Sequence, residues 1–287
     1  MSAMRLFLLS CLVSVAAAED AFQERLKALD EARPFTLEAG GQARVYPAVE
    51  ALAATRDVRA VAPLAQYLLE TITSERRLLE EARSTQREAA DLSTRAEALS
   101  NDLKRLELKE KAGDHAVGPA IERCMSERLQ CQRRRHELMK GLEQVDRTIR
   151  FLRELRDRLA RDCAALLRDR AGQEATTGIE GVRRALDPAD REQGLFLVRI
   201  LAASDLDRAE EQLLEILSAP KADASVRTQA QYALAKHLSR RGAETLVRLW
   251  ERDPQRSGER VRHVLSIAAK KRLETVADAR AWIATLP

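Results

Sequence analysis

Few side chains in this sequence have the types and spacing that support catalysis. His136 and Glu137 begin like the H-E-x-x-H helix of zinc proteases, but the second histidine ligand would have to stand at position 140, which is Lys140. The four histidines lie far apart in the chain: His115, His136, His237 and His263. Phosphate-binding glycine loops, dinucleotide fingerprints, nucleophile elbows and Cys-x-x-Cys pairs do not occur. We therefore predict no catalytic residue, no metal site and no cofactor, and we do not expect an enzyme.

Asp114 and His115 form the first candidate for contact with a partner. They lie in the segment 113–119, Gly-Asp-His-Ala-Val-Gly-Pro, which interrupts two long stretches of helix-forming residues. A titratable pair on a loop tip suits recognition. The alternative is a solvated turn in which Asp114 acts only as a turn former.

Arg133, Arg134 and Arg135 form the second candidate. They belong to the most basic part of the chain, residues 119–171, with 14 basic and 9 acidic side chains. An anionic envelope polymer would bind such a stripe. However, Arg150, Glu154, Arg158 and Asp162 follow one another at intervals of four residues, which predicts ion pairs along a solvated helix face. Aromatic side chains do not alternate with the basic ones, so we do not expect nucleic acid as a partner.

The composition points to an all-α protein. The chain has 287 residues, of which 45% are hydrophobic, only 3% aromatic and 33% charged, with 11 glycines. So few aromatic residues argue against a β-sandwich or barrel. The 49 basic and 45 acidic side chains leave a net charge of +4, which does not produce a dominant basic field.

Residues 1–18 have the pattern of a secretory signal peptide. Arg5 is followed by an apolar run over residues 6–15, and small residues at Ala16 and Ala18 precede Glu19. The run is shorter than the about 20 residues that a membrane helix needs, and no second run follows. We therefore expect an exported chain, periplasmic or extracellular, without a stable span after cleavage. A lipoprotein anchor at Cys11, an uncleaved anchor and a buried N-terminal helix are less favoured alternatives.

Three cysteines remain after cleavage: Cys124, Cys131 and Cys163. An odd number does not suit a disulfide framework, and all three are expected to be small core residues. Cys124 and Cys131 are seven residues apart, about 10 Å along a helix, which is too far for a bridge within it. An intermolecular disulfide through these two cysteines is the alternative.

The segment 64–171 predicts a long helical hairpin. Residues 64–112 contain no proline or glycine, residues 120–171 contain only Gly141, and Pro119 suits the start of a helix. Apolar residues recur every seven positions in both arms, which is typical of a coiled coil. Reflection about Ala116 matches the arms in length, so we predict an antiparallel coiled coil with its turn at 113–119. A parallel homodimeric coiled coil is the alternative, and homo-oligomers through this segment stay open.

The heptad positions define a seam on each arm. In the first arm they are Leu64, Leu78, Leu92, Leu99 and Leu106 with Leu68, Ala82, Ala89, Ala96 and Leu103, and the weak members are Thr71, Glu75 and Thr85. In the second arm they are Cys124, Cys131, Leu138, Val145, Leu152, Leu159 and Leu166 with Ile121, Leu142, Ile149 and Cys163, interrupted by Arg128, Arg135 and Arg156.

The remainder of the chain has a period of about 33 residues. Prolines stand at 188, 220, 254 and 287, and each interval holds two apolar helical stretches: 194–203 with 206–217, 226–238 with 243–250, and 261–273 with 276–286. Such a period is typical of a solenoid of helical pairs, in which each pair buries its apolar face against its neighbours.

Two segments resemble HEAT repeats. Residues 57–68, Asp-Val-Arg-Ala-Val-Ala-Pro-Leu-Ala-Gln-Tyr-Leu, resemble the turn and second helix of such a repeat, with 46–55 as its first helix. Val226 and Arg227, followed by Ala230, Ala233, Leu234 and Leu238, are similar to a first helix, and residues 278–282 look like the aromatic cap of some bacterial arrays. Tetratricopeptide repeats have a similar period, but their Trp, Gly and Tyr positions are missing here. The resemblance implies a HEAT-like solenoid.

The predicted organisation is therefore an all-α, HEAT-like helical-pair solenoid interrupted by a long antiparallel coiled-coil hairpin. Its parts are a signal peptide (1–18), an N-terminal helix with the first repeat (19–63), the hairpin (64–171) and the C-terminal repeats (172–287). We expect a non-enzymatic exported scaffold or adaptor that binds a protein partner through the solenoid and a projecting coiled coil. The alternatives are an envelope enzyme subunit, a disulfide-linked homo-oligomeric spacer, and a binder of anionic envelope polymer.

Overall fold

A computed structural model describes residues 19–32, 39–168, 172–204, 207–236, 238–255 and 258–286 of the chain. These residues are almost entirely helical and include no β-strand, so the predicted all-α class is confirmed for them. The predicted signal peptide with Cys11, and also His237, lie outside the described residues. None of the described helices is long and apolar enough to cross a bilayer.

Eleven α-helices and two short 3-10 helices make up the described residues. The α-helices are α1 (19–32), α2 (Ala39–Ala53), α3 (Val61–Lys111), α4 (Gly118–Leu167), α5 (Gly172–Ala185), α6 (Arg191–Ala202), α7 (Asp207–Ser218), α8 (Ala224–Lys236), α9 (Arg240–Arg252), α10 (Gly258–Ala269) and α11 (Val276–Ile283). The 3-10 helices are Val58–Ala60 and His115–Val117. Each apolar stretch predicted after residue 190 carries one helix, although α10 and α11 end a few residues earlier than expected.

The chain divides into two compact units. One, the row unit, comprises the described residues of Met1–Ile72 and Leu155–Pro287, and the other, the hairpin unit, is Thr73–Glu154. Helices α3 and α4 each contribute to both units. The outer ends of the predicted hairpin, residues 64–72 and 155–168, therefore belong to the row unit.

Short helices in the row unit pack in two rows. Helix α8 contacts α6 and α10, which gives one row, while α5, α7, α9 and α11 contact one another in that order in the second row. Contacts of α7 with α6 and α8, and of α9 with α10, join the rows. Apolar residues such as Leu197, Leu234, Leu246 and Leu265 fill the space between them and are fully or almost fully buried.

The row-unit helices begin at capping residues that the sequence supplies. Asp190 accepts hydrogen bonds from the backbone N–H groups of residues 192 and 193 at the start of α6, and Asp223 does the same for residues 225 and 226 at α8. The guanidinium of Arg227 donates to the carbonyl of Ala222 at 2.6 Å. This arrangement satisfies polar backbone groups of the turn between α7 and α8, which would otherwise lack partners.

Ion pairs between α3 and α4 set the direction of the helices in the hairpin unit. Glu75, Glu88 and Arg95 on α3 pair with Arg153, Arg134 and Glu127 on α4, respectively. Because residue numbers rise on one helix as they fall on the other, the two helices run antiparallel.

Burial in the hairpin unit follows the heptad positions. Between residues 80 and 110 of α3, every position that is buried or half-buried is a predicted heptad position, except Ser93 and Ser100. Between residues 121 and 147 of α4 the same holds except for Gln144, and Arg135 is the one heptad position that is exposed. Over these ranges the inward side chains thus form one narrow seam between two helices, whereas Thr148 and Phe151 are buried outside the heptad positions.

Candidate functional site

The turn that holds Asp114 is built by its own side chain. The Asp114 carboxylate accepts a hydrogen bond from the backbone N–H of Ala116 at 3.2 Å and so caps the 3-10 helix His115–Val117. Gly113 precedes it with φ +95°, a conformation that favours glycine. Asp114 is exposed, whereas the side chain of His115 lies outside the described residues. The structure therefore gives Asp114 a turn-forming contact and leaves its carboxylate accessible.

The three arginines at 133–135 are all exposed, but their surroundings differ. Arg134 lies 3.3 Å from Glu88 of α3 and 3.7 Å from Glu137 one turn further along α4. Arg135 lines a groove of about 540 Å³ in the hairpin unit, beside Met139, Leu142 and small side chains of α3 such as Ala89. Arg134 and Arg135 therefore lie in different environments, one beside carboxylates and the other in a groove.

The positive charge of α4 is largely offset within the hairpin unit. Arg147 pairs with Glu143, Arg150 with Asp146, and Arg153 with Glu75. The sequence predicts instead that Arg150 pairs with Glu154 on the same helix face. Because these carboxylates already neutralise the guanidinium groups, less charge remains for an anionic polymer than the count of basic residues indicates.

The cysteines occupy inward positions. Cys131 is buried and Cys124 half-buried in the hairpin unit, and no disulfide joins them to one another or to Cys163. Cys163 is fully buried in the row unit, 3.8 Å from the carbonyl oxygen of Val61, and burial strongly raises the pKa of its thiol. A thiol in such a position is protonated and unreactive at neutral pH.

The sequence pattern did not reveal an ion pair between the nearly buried Glu75 and the exposed Arg153. Glu75 was a weak seam member, yet its side chain is only 5% exposed, and its Oε1 accepts a hydrogen bond of 2.7 Å from Arg153 Nε. The sequence does contain a signal for this pair. An acidic residue occupies a heptad position of the first arm, and a basic residue lies at about the same level of the antiparallel second arm. A purely apolar heptad search overlooks such pairs.

Arg156 interrupts the predicted seam because it belongs to the row unit. Its guanidinium pairs with Glu192 of α6 and lies 5.5 Å from the ring centroid of Phe196. Two residues along, Arg158 pairs with Glu50 of α2 at 2.6 Å and with Asp162 at 3.7 Å. Burial raises the pKa of Asp162, although Arg158 partly opposes that rise.

Helices α8 and α10 of the row unit border a hollow of about 610 Å³. Its lining includes Gln231 of α8 and, from α10 and the turn after it, Glu259, Arg260, Arg262, His263, Ser266, Ile267, Lys271, Arg272 and Leu273. A second hollow of about 590 Å³, lined by residues of α7 and α9, mixes the acidic Glu211 and Glu215 with the basic Arg240 and Arg241. Sequence reasoning singled out neither place.

His, Cys, Asp and Glu side chains of the described residues nowhere assemble in a group of three that would hold a metal ion. His136 is exposed on α4, and His263 is exposed on α10. No protein-family model, curated protein or solved structure matches this chain. The surfaces described above are therefore the basis for a functional interpretation.

Proposed function

We propose that this protein is a non-enzymatic exported scaffold or adaptor that binds a protein partner. The observation that carries the proposal is the hairpin unit, Thr73–Glu154, whose inward side chains form one narrow seam over residues 80–110 and 121–147. Two helices packed in this way enclose no space from which water is excluded, and enzymes and small-molecule sites depend on such space. What the unit offers is an extended helical surface, as coiled coils that recognise other proteins do.

The hairpin unit is, in this proposal, an antiparallel coiled coil. The coincidence of the non-exposed positions with the heptad positions supports it, as do the ion pairs Arg95–Glu127 and Arg134–Glu88 that flank the seam.

The row unit is, in the same proposal, a short HEAT-like solenoid. Its support is the order of helix contacts, in which alternate helices stack in two rows, together with the period of the prolines. Asp223 and Arg227 add local support, because they close the turn between α7 and α8 at the place where the sequence resembles a HEAT repeat.

Export rests on the sequence of residues 1–18 and is tested by the N-terminus of the mature protein. We expect the protein isolated from its native source to begin at Glu19 and to lie outside the cytoplasm. A chain that retains residues 1–18 and stays in the cytoplasm would contradict export.

Partner binding is tested by site-specific cross-linking in the native envelope. A photoreactive amino acid is placed at Leu129 or Arg133 in the hairpin unit, or at Tyr232 in the row unit, all of which are exposed. The control position is Leu152, which is fully buried. We expect light-dependent adducts with a different protein from at least one exposed position and none from Leu152. Adducts only with a second copy would favour a homo-oligomeric spacer, and no adduct from any position would contradict the adaptor.

A further inference from the structure

Tyr232 and His263 mark an unusual place on the row unit. Among the described residues, Tyr232 is the one aromatic side chain that is exposed, at 51%. Its ring meets the imidazole of His263 edge-on, with 6.2 Å between the ring centroids. His263 lines the 610 Å³ hollow that Gln231 and α10 border, so the ring of Tyr232 contacts a residue of its lining, and Ile267 adds an exposed apolar surface there. Exposed tyrosines are enriched in protein–protein contacts because the ring is apolar and the hydroxyl is wet.

Gln231 adds a polar group to the lining of this hollow. The residue is only 9% exposed, so its side chain is held mostly within the protein at the wall of the hollow. A carboxamide donates through nitrogen and accepts through oxygen, so it is suited to a peptide group, which offers both complements.

The charged side chains around the hollow favour a negatively charged ligand. Arg260, Arg262 and Lys271 line it and form no ion pair with a described residue, in contrast to Arg272, which lies 3.1 Å from Glu274. Glu259 is the single carboxylate in the lining. Arg260 and Arg262 outnumber the single acid Glu259. Lys271, although it also interacts electrostatically with Asp278, adds to the positive charge of the hollow. By contrast, Arg147, Arg150 and Arg153 of α4 each have a carboxylate partner.

We propose that this hollow is a binding site for an acidic peptide segment with an apolar anchor residue, contributed by the protein partner. The anchor packs against Tyr232 and Ile267, the acidic side chains pair with Arg260 and Arg262, and Gln231 bonds a peptide group. The site deepens the proposed scaffold function, on which it rests, by naming the kind of sequence that the row unit recognises. Its volume lies in the range of about 300–1,000 Å³ found for ligand sites.

The test uses the purified full chain and a fluorescein-labelled short peptide in which glutamates flank two leucines. Fluorescence polarisation at about 0.15 M salt, where exposed charges are screened beyond about 8 Å, measures its affinity. Replacing both arginines (R260A with R262A) should weaken binding about tenfold or more, and Gln231→Leu about threefold. Glu259→Gln should tighten it about twofold, because the single opposing charge is removed.

The matched control is Arg184→Ala, which removes an exposed arginine of α5. It should leave the affinity unchanged, and circular dichroism should show the same helix content in every variant. The proposal is overturned if the peptide does not bind the wild-type chain, if the variants bind as tightly as the wild type, or if a peptide with lysine in place of glutamate binds equally well. Equal binding of leucine-free polyglutamate would also overturn it, since the surface would then respond to charge alone. Because this assay needs no envelope component, its failure is separate from a failure of the cross-linking test.

Discussion

The hairpin unit and the row unit are both rich in alanine, leucine, arginine and glutamate, yet they bury their apolar side chains to different extents. In the hairpin unit only a few side chains are buried, and most heptad positions of α3, such as Leu92 and Leu99, stay half-exposed. In the row unit, leucines such as Leu197 and Leu265 lose all contact with solvent. A helix that packs against one neighbour buries only one stripe of its surface. A helix in a row packs against helices of its own row and of the other row, so several sides of it are buried.

This difference predicts different local stabilities. Burial of apolar area contributes about 25 cal/mol per Å², so a unit with one seam gains less per residue than a unit with two layers. The hairpin unit is therefore expected to open at lower free energy than the rows, which is what a surface that adapts to a partner requires. The following experiments test that contrast, beginning with the largest expected effect.

Aspartate in place of Leu92, Leu99 and Leu152 should unfold the hairpin unit and spare the rows. Charged groups in the seam cost several kcal/mol, which exceeds what a single seam supplies. Circular dichroism should show the loss of helix, and limited proteolysis should cut within Thr73–Glu154 while α5–α11 stay protected. Proteolysis of the rows at the same rate would show that the two units fold as one. The reverse variant, Leu246→Asp in α9, should expose the rows instead.

Loss of the Arg153 guanidinium should destabilise the hairpin unit by about 2 kcal/mol, because Arg153→Ala removes a partner of the nearly buried Glu75 carboxylate. The double variant with leucine at both positions should be closer to neutral, since the nearly buried Glu75 carboxylate is removed together with its partner. Urea unfolding followed by hydrogen exchange measures both. A double variant as unstable as Arg153→Ala would mean that the pair itself is required.

Replacing a glycine by alanine should lower the stability of the row unit but raise the stability of the hairpin unit. At Gly194 in α6 a Cβ would come within 2.6 Å of Val226 and 3.1 Å of Pro188, so Gly194→Ala should cost about 1–3 kcal/mol. At Gly141 in α4 a Cβ would meet nothing within 4 Å, so Gly141→Ala should stabilise by about 0.5–1 kcal/mol through helix propensity. Thermal unfolding compares the two variants. Destabilisation at Gly141 would show that the hairpin unit packs more tightly than described.

The smallest expected effect is a pH-dependent change in stability at the N-terminal cap of α11. Hydrogen bonds from Thr275 and from the backbone N–H groups of Thr275 and Glu274 lower the pKa of Asp278, which completes a capping box at α11. A lowered pKa adds stability that is fully present above the unfolded pKa of about 3.9 and is lost as the pH falls through the lower pKa of the folded state. Asp278→Asn should therefore weaken the row unit at pH 7, and its difference from the wild type should shrink as the pH falls below about 3.9. The control, Asp114→Asn at the hairpin turn, should change stability less, and an equal change at both sites would contradict the contrast.

Sequence reasoning anticipated the helices better than the site. The stretches of the C-terminal period each carry a helix, and the turn predicted at 113–119 holds the 3-10 helix His115–Val117. The compact hairpin unit is shorter than the predicted hairpin, since residues 64–72 and 155–168 belong to the row unit. The same heptad spacing runs through both units, and a periodic pattern does not say which neighbour a helix meets.

The candidate contacts were anticipated less well, because charge partners are a matter of distance in space. The triplet Arg133–Arg135 reads as one basic cluster in the sequence, yet Arg134 has a carboxylate from α3 beside it and Arg135 lines a groove. The hollow near Tyr232 combines residues from two helices, and no pattern in the sequence indicates it.

The amino-acid sequence by itself determined the helical class, the helix ends and the positions along each helix that turn inward. These features depend on neighbours within a turn or two, on prolines, glycines and capping side chains, and on the period of the apolar residues. Only the tertiary structure decided that Arg156 meets Glu192, that Arg153 meets Glu75, and that Gln231 lines the same hollow as the cations of α10. Those outcomes join residues far apart in the chain, and their energies depend on burial and distance, which no local pattern encodes.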